Sequence, residues 1–205
     1  MEIRNFDMTG IEFRAATEVD QSNRASGYAA IFNSASHDLG GFREFIAPGA
    51  FSRSLVDASS GALNIFALWS HDNSQPLGST QTGKLSLSED ERGLAFDLDT
   101  KRFTPAQLDA LADNELRMSF GFVVRQDEWR KEDDGQITRT LTDVELMEVS
   151  FVINPAYPDT SAAKRSLEAW RSAQVEDHPV IDLNSKVAAM TIRALKASLG
   201  ARGKL

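Results

Sequence analysis

Apolar residues along the first 160 positions fall in short runs broken by glycine, proline, asparagine and aspartate, and helical spacing is rare. That pattern predicts short strands joined by turns. Glu2 to Phe6 and Ile11 to Ala15 are expected to pair as a hairpin around Thr9-Gly10, and Gly27 to Phe32 is a third apolar run. Pro48-Gly49 introduces a short helix near Ala50 to Val56, and Asn64 to Trp69 is an apolar run of strand length that stops at Ser70-His71-Asp72.

Lys84 to Ser88 and Leu94 to Leu98 alternate with period two around the polar turn Glu89 to Gly93, as a hairpin would. Thr104-Pro105 reads as an N-cap followed by proline in the first helical position, and Leu108 and Leu111 give the next stretch an apolar stripe. Met118 to Val124 is a further strand. The charged run Asp127 to Asp134, ending in Gly135, is expected to be an exposed hairpin tip with solvated charges before Ile137 to Leu141. Val144 to Ile153 is the longest apolar strand, ended by Asn154-Pro155 because proline restricts its predecessor and donates no hydrogen bond.

From about Lys164 the pattern turns helical, with Ser166 to Ala173 and Ser185 to Leu199 joined by the polar stretch Gln174 to Asn184. In the second segment Ile192, Leu195 and Leu199 lie at i, i+3 and i+7. The chain therefore divides into a domain of residues 1–163 and a helical tail of residues 164–205.

Composition narrows the chemistry. A net charge of −8 repels nucleic acid unless a local basic patch overcomes it, and the first 160 residues hold none. No basic stretch followed by an apolar run opens the chain, and nowhere do about 18 apolar residues follow one another, so secretion and a membrane span are not expected. Cysteine is absent, which removes disulfides, thiolate nucleophiles and Cys-based zinc sites. His71-Asp72 could seed a metal site, but no second histidine stands at helical spacing and no HExxH pattern occurs, so neither metal nor cofactor is expected.

Three histidines limit the search for a general base near neutral pH. His37 lies in a polar, glycine-bearing stretch and His178 in the tail, whereas His71 follows directly on an apolar strand that can hold it rigidly at a cleft. A turn histidine with a local hydrogen bond is the plainer alternative. In Arg117 to Phe122, alternation puts Met118, Phe120 and Phe122 on one strand face and Ser119 and Gly121 on the other, where the missing glycine side chain leaves room for a substrate backbone. The competing reading is a small strand residue beside a bulge. Glu148 interrupts the apolar run Val144 to Ile153, and a carboxylate buried there needs an imidazole or an arginine, either as part of a site or as a structural ion pair. Glu145 and Glu148, three apart, should point to opposite strand faces, which argues against a paired-carboxylate glycosidase.

Taken in order, a set of short motifs between Gly27 and Thr160 resembles the bacteriophage prohead protease family, which is similar in fold and mechanism to the herpesvirus assembly protease, assemblin. They are Gly27-Tyr28-Ala29-Ala30-Ile31-Phe32-Asn33, then Phe42-Arg43-Glu44-Phe45-Ile46-Ala47-Pro48-Gly49-Ala50-Phe51, then His71-Asp72 with Pro76-Leu77-Gly78. Downstream stand Met118-Ser119-Phe120-Gly121-Phe122, Glu148-Val149-Ser150-Phe151-Val152 and Asn154-Pro155-Ala156-Tyr157. The family's histidine matches His71 and its serine Ser119. The acidic residue preceding Val-Ser matches Glu148, at the chain position where assemblins place a second histidine.

The resemblance implies an α+β, mainly β fold: a small closed or partly closed antiparallel β-barrel flanked by a few helices. It implies a serine endopeptidase, with His71 as general base, Ser119 as nucleophile and Glu148 as orienting acid, and with the turn after Ile153 as a candidate source of oxyanion donors. Its setting would be the interior of the procapsid in the host cytoplasm. Its partners would be the major capsid protein precursor and the scaffold segment, it would process its own ends, and it would work as a homo-oligomer, as assemblins do. A catalytically silent scaffold or capsid-assembly module with the same fold is the main alternative, and a generic β-rich binding module the third.

Overall fold

The computed structural model describes residues 1–6, 12–14, 23–153 and 160–176. Its strands are β1 (Glu2–Phe6), β2 (Glu12–Arg14), β3 (Arg24–Ile31), β4 (Arg43–Ile46), β5 (Phe66–Trp69), β6 (Asp72–Ser79), β7 (Leu85–Glu89), β8 (Gly93–Asp99), β9 (Arg117–Lys131) and β10 (Ile137–Val152). Helix α1 (Ser52–Ser59) separates β4 from β5, α2 (Pro105–Ala112) precedes β9, and α3 (Thr160–Glu176) follows β10. Met1–Leu167 is one compact unit, and Glu168–Leu205 is a second, of which residues 168–176 at the end of α3 are described. The tail segment Ser185 to Leu199 lies outside the described residues.

Local chemistry accounts for several elements. Thr104 caps α2 through a reciprocal box: its hydroxyl accepts from the Gln107 backbone N–H and the Gln107 side chain accepts from the Thr104 N–H, with Pro105 filling the first turn. The alternating β7 and β8 pair antiparallel, with Leu85 opposite Leu98 and Leu87 opposite Phe96. Leu85, Phe96 and Leu98 enter the core while Ser86 and Ser88 of β7 face out.

Two open sheets enclose that core. One runs β1-β9-β10-β5-β6, with β4 also paired to β10, and the other runs β2-β3-β8-β7. Phe96 from the second sheet meets Phe151 of the first edge-on at 5.5 Å, and Phe51 at the start of α1 meets Phe120 in the same way at 5.5 Å. Such edge-to-face pairs add to what area burial alone provides.

A closed antiparallel barrel is not what forms, because β4 and β5 both run parallel to β10. The cause lies in the connection. β4 pairs with residues 138–141 of β10 and β5 with residues 148–151, and α1 fills the interval between them. Its Ser54 hydroxyl donates to the Val144 carbonyl (2.8 Å) and accepts from the Leu146 N–H (3.0 Å), while the Ala50 carbonyl takes the Val144 N–H (3.0 Å). The edge of β10 thus stays satisfied where no strand can reach it.

Three further expectations are corrected. Glu2–Phe6 and Glu12–Arg14 are strands but do not pair with each other: β1 lies against β9 and β2 against β3, in different sheets. The charged run does end in an exposed hairpin tip, at residues 132–136, but its first half is strand, since β9 continues to Lys131 and β10 begins at Ile137. Ile137 to Leu141 and Val144 to Ile153, read as separate runs, belong to one strand ending at Val152. Nor are its charges merely solvated. Asp127 accepts from Nε of the buried Arg139 at 2.7 Å, and Arg139 also reaches Glu44 (3.0 Å) and Glu2 (3.1 Å). Arg4 completes this cluster through Glu44 at 2.6 and 3.0 Å. Burial would lower the Arg139 pKa, but the carboxylates of Glu44 and Glu2 raise it above its ordinary value.

Candidate active site

His71 sits in a two-residue turn. β5 and β6 are joined by two residues, Ser70 and His71, between the paired Trp69 and Asp72. Both turn residues have positive φ, +52° and +61°, the sign pattern of a type I′ hairpin turn that asparagine and glycine usually occupy. A non-glycine residue pays about 1–2 kcal/mol for such a backbone, which is held here by the neighbouring strand. The Ser70 N–H donates to the Phe151 carbonyl (2.9 Å) and the His71 N–H to Ser150 Oγ (3.2 Å).

The imidazole is aimed by Glu148, whose Oε1 lies 2.7 Å from Nδ1. The second carboxylate oxygen accepts from Ser150 Oγ at 2.5 Å. Nδ1 therefore carries the proton toward the carboxylate, which leaves Nε2 as the basic nitrogen. Nε2 is buried and has no hydrogen-bond partner among the described residues. Asp72 does not compete for the ring: its carboxylate accepts from the Ser74 hydroxyl, the Gln75 amide and the Ser74 N–H, and these bonds hold its pKa below the ordinary range. Among the described residues no cluster of three or more His, Asp and Glu side chains could hold a metal ion.

A bulge decides that Glu148 faces this way. Val144 and Leu146 of β10 point into the core, and strict alternation would send Glu148 after them. The register slips between Leu146 and Glu148, with Met147 left over and exposed, so that Val149 and Phe151 take the core face. Glu148 and Ser150 move to the opposite face. Glu145 shares that face, since it pairs with Val123 as Glu148 pairs with Gly121, and the expectation that the two glutamates diverge is corrected accordingly. Glu145 is engaged by Arg125 at 2.8 Å.

On the facing strand, Ser119 lies opposite Ser150 and Gly121 opposite Glu148. The sequence suggested that Gly121 leaves room for substrate. The space is instead filled by Glu148: a Cβ on Gly121 would stand 2.4 Å from its Oε1. Glycine is required there so that the carboxylate can lie across β9 and reach His71.

The structure brings His71 and Glu148 into contact and puts Ser119 on the same face of the adjacent strand. It does not join the serine to the imidazole. Ser119 is fully buried, and its Oγ donates to the backbone carbonyl of Arg4 in β1 at 2.9 Å. His37 is exposed in the segment between β3 and β4, and His178 lies outside the described residues, as does the turn after Ile153 expected to supply oxyanion donors. Ser150 was missed by the sequence reading. Its signal was present two positions beyond Glu148, where a strand brings a residue back to the same face.

No helix among the described residues is long and apolar enough to cross a membrane. No curated protein matches the chain, and no solved structure does so either. A family model described as caudovirus prohead serine protease matches residues 10–173, a span that contains His71, Ser119 and Glu148. With most of its length so matched, the chain belongs to the caudovirus prohead serine protease family.

Proposed function

We propose that this protein is the serine endopeptidase that cleaves the capsid protein precursor and scaffold during prohead maturation, with Ser119 as nucleophile, His71 as general base and Glu148 as the acid that orients it. The observation that carries the reading is the Glu148–His71 contact at 2.7 Å, which fixes the tautomer and leaves Nε2 without a hydrogen-bond partner among the described residues. Ser119 is the serine on β9 diagonal to Glu148. Diagonal neighbours across a strand pair are roughly 7–8 Å apart, within reach of a ring bonded to that carboxylate.

In the reaction, Ser119 Oγ gives its proton to His71 Nε2 as the Oγ–carbon bond forms on the scissile carbonyl. The imidazolium, stabilised by Glu148, then protonates the leaving amine. Water enters by the same base and releases the acyl group. Before the first step, the Ser119 hydroxyl must turn from the Arg4 carbonyl to the imidazole, which would satisfy both groups at once.

The test is incubation of the full chain with purified capsid precursor, read by intact mass, together with fluorophosphonate labelling. Cleavage and labelling at Ser119, both lost in Ser119→Ala, support the assignment. Wild-type turnover by Ser119→Ala overturns it. The contact between Ser119 and Arg4 favours a second reading, a silent assembly module that keeps the fold, and this predicts no labelling under any condition.

The tail beyond Lys164 is proposed to bind scaffold or capsid protein and to be removed autocatalytically, in a homo-oligomer acting inside the procapsid in the host cytoplasm. An intact C-terminus by mass spectrometry after activation in assembling particles would remove the trimming step.

A further inference from the structure

Ser119 is buried and hydrogen-bonded to the chain's own β1. β1 is the terminal strand of its sheet and pairs antiparallel with β9 through five residues, Glu2 opposite Phe122 to Phe6 opposite Met118. At its centre the Arg4 carbonyl receives the Ser119 hydroxyl. An extended strand thus lies along the edge of β9 with its backbone against the hydroxyl proposed as nucleophile, the edge along which a peptide substrate would have to lie. Peptides bind sheet edges in this manner, with main-chain hydrogen bonds giving affinity.

The ion cluster that fastens β1 is built so that the strand can leave. β1 contributes one cation and one anion, Arg4 and Glu2, to the group formed with Glu44, Arg139 and Asp127. Removing both leaves Arg139 bonded to Glu44 at 3.0 Å and to Asp127 at 2.7 Å, so no buried charge is orphaned. The Glu44 oxygen that Arg4 Nε occupies at 2.6 Å and the Arg139 Nη2 that Glu2 occupies at 3.3 Å lose those partners, and the first is available to a basic side chain of whatever strand replaces β1. Among the described strands, withdrawal of β1 breaks no pairing other than that with β9.

We infer that the edge of β9 beside Ser119 is the substrate-strand seat and that β1 is its exchangeable resident, so that the protease is latent while Glu2–Phe6 is seated and active when an extended peptide takes its place. The inference rests on the assignment of Ser119 as nucleophile. It adds that the seat recognises an extended strand with a basic side chain directed at Glu44.

The experiment uses the full chain with a site-specific protease recognition sequence inserted after Met8, cut in the folded state and freed of the released strand. Fluorophosphonate labelling of Ser119 is expected to rise at least tenfold on cutting, and a synthetic peptide of residues 1–6 should return it to the uncut rate. The same peptide carrying Arg4→Ala should need at least tenfold more to do so. Labelling that is measurable but equal before and after cutting overturns the inference. Saturable binding of a fluorescent peptide of residues 1–6 to the cut Ser119→Ala protein, displaced by capsid precursor, separates the two readings. If binding and displacement occur but the cut protein with Ser119 intact never labels, the nucleophile assignment fails and the seat stands. Absence of such binding overturns the seat.

Discussion

Glu148 and His71, 77 positions apart in the chain, meet through Oε1 and Nδ1 at 2.7 Å, and the other Glu148 oxygen is held by Ser150. The contact has the form of an imidazole fixed in one tautomer by a buried acid, leaving its second nitrogen to accept a proton.

Replacing His71 by alanine is expected to lower cleavage of capsid precursor by about 10³-fold or more, because no other described side chain stands in its place. Glu148→Gln keeps the shape but not the charge, and should cost less, about 10²-fold, chiefly in kcat. Steady-state kinetics on a precursor-derived peptide would check both, and a Glu148→Gln enzyme of wild-type kcat would show that the acid is structural only.

Gly121→Ala should reproduce the Glu148 defect without touching Glu148. The added Cβ would lie 2.4 Å from Oε1 and 3.2 Å from the carboxyl carbon, so the carboxylate must move away from His71. A loss of about 10²-fold in kcat, with KM little changed and an intact fold by circular dichroism, is the expected result. Full activity would mean that the carboxylate has another way to reach the ring.

Ser150→Ala removes a donor to Glu148 and the acceptor for the His71 N–H. Loss of these bonds is expected to destabilise the protein by about 1–3 kcal/mol in urea unfolding and to reduce kcat by roughly tenfold. Ser150→Thr, which restores a hydroxyl, should recover part of the rate.

Arg139→Met would leave Glu44 and Glu2 with one cation between them, Arg4. Breaking a buried pair by removing one partner costs about 3–5 kcal/mol, and the urea midpoint should fall accordingly. A change near zero would show that the cluster is solvated in solution.

Acid should weaken the anchoring of β1. Burial alone would raise the Glu2 pKa, but the guanidinium groups of Arg4 and Arg139 outweigh it and hold the carboxyl below its ordinary 4.5. A carboxylate depressed in the folded state contributes stability that is fully present above its unfolded value and is lost as pH falls through its lower folded value. Wild type should therefore exceed Glu2→Gln by about 1.5–3 kcal/mol at pH 7, with the difference closing below about pH 4.5. Parallel urea melts from pH 7 to pH 3 measure it, and a difference constant with pH would contradict the assignment.

Much of this protein was legible in one dimension because the physics that writes it is local. The β7–β8 hairpin follows from alternation around a polar turn, and α2 from Thr104, Pro105 and Gln107. A histidine at the end of an apolar strand, a serine opposite a core face and a carboxylate inside an apolar run likewise stand out from their neighbours. Tertiary structure alone decided the rest. The pairing of β1 with β9 rather than β2, and the parallel docking of β4 and β5 on β10, depend on which distant edge satisfies each backbone. The one-residue slip at Met147 turns Glu148 from the core to the site, and Gly121 then matters for the carboxylate it admits. Alternation fixes which residues share a face only between bulges, and a bulge belongs to two strands at once, so no reading of one strand contains it.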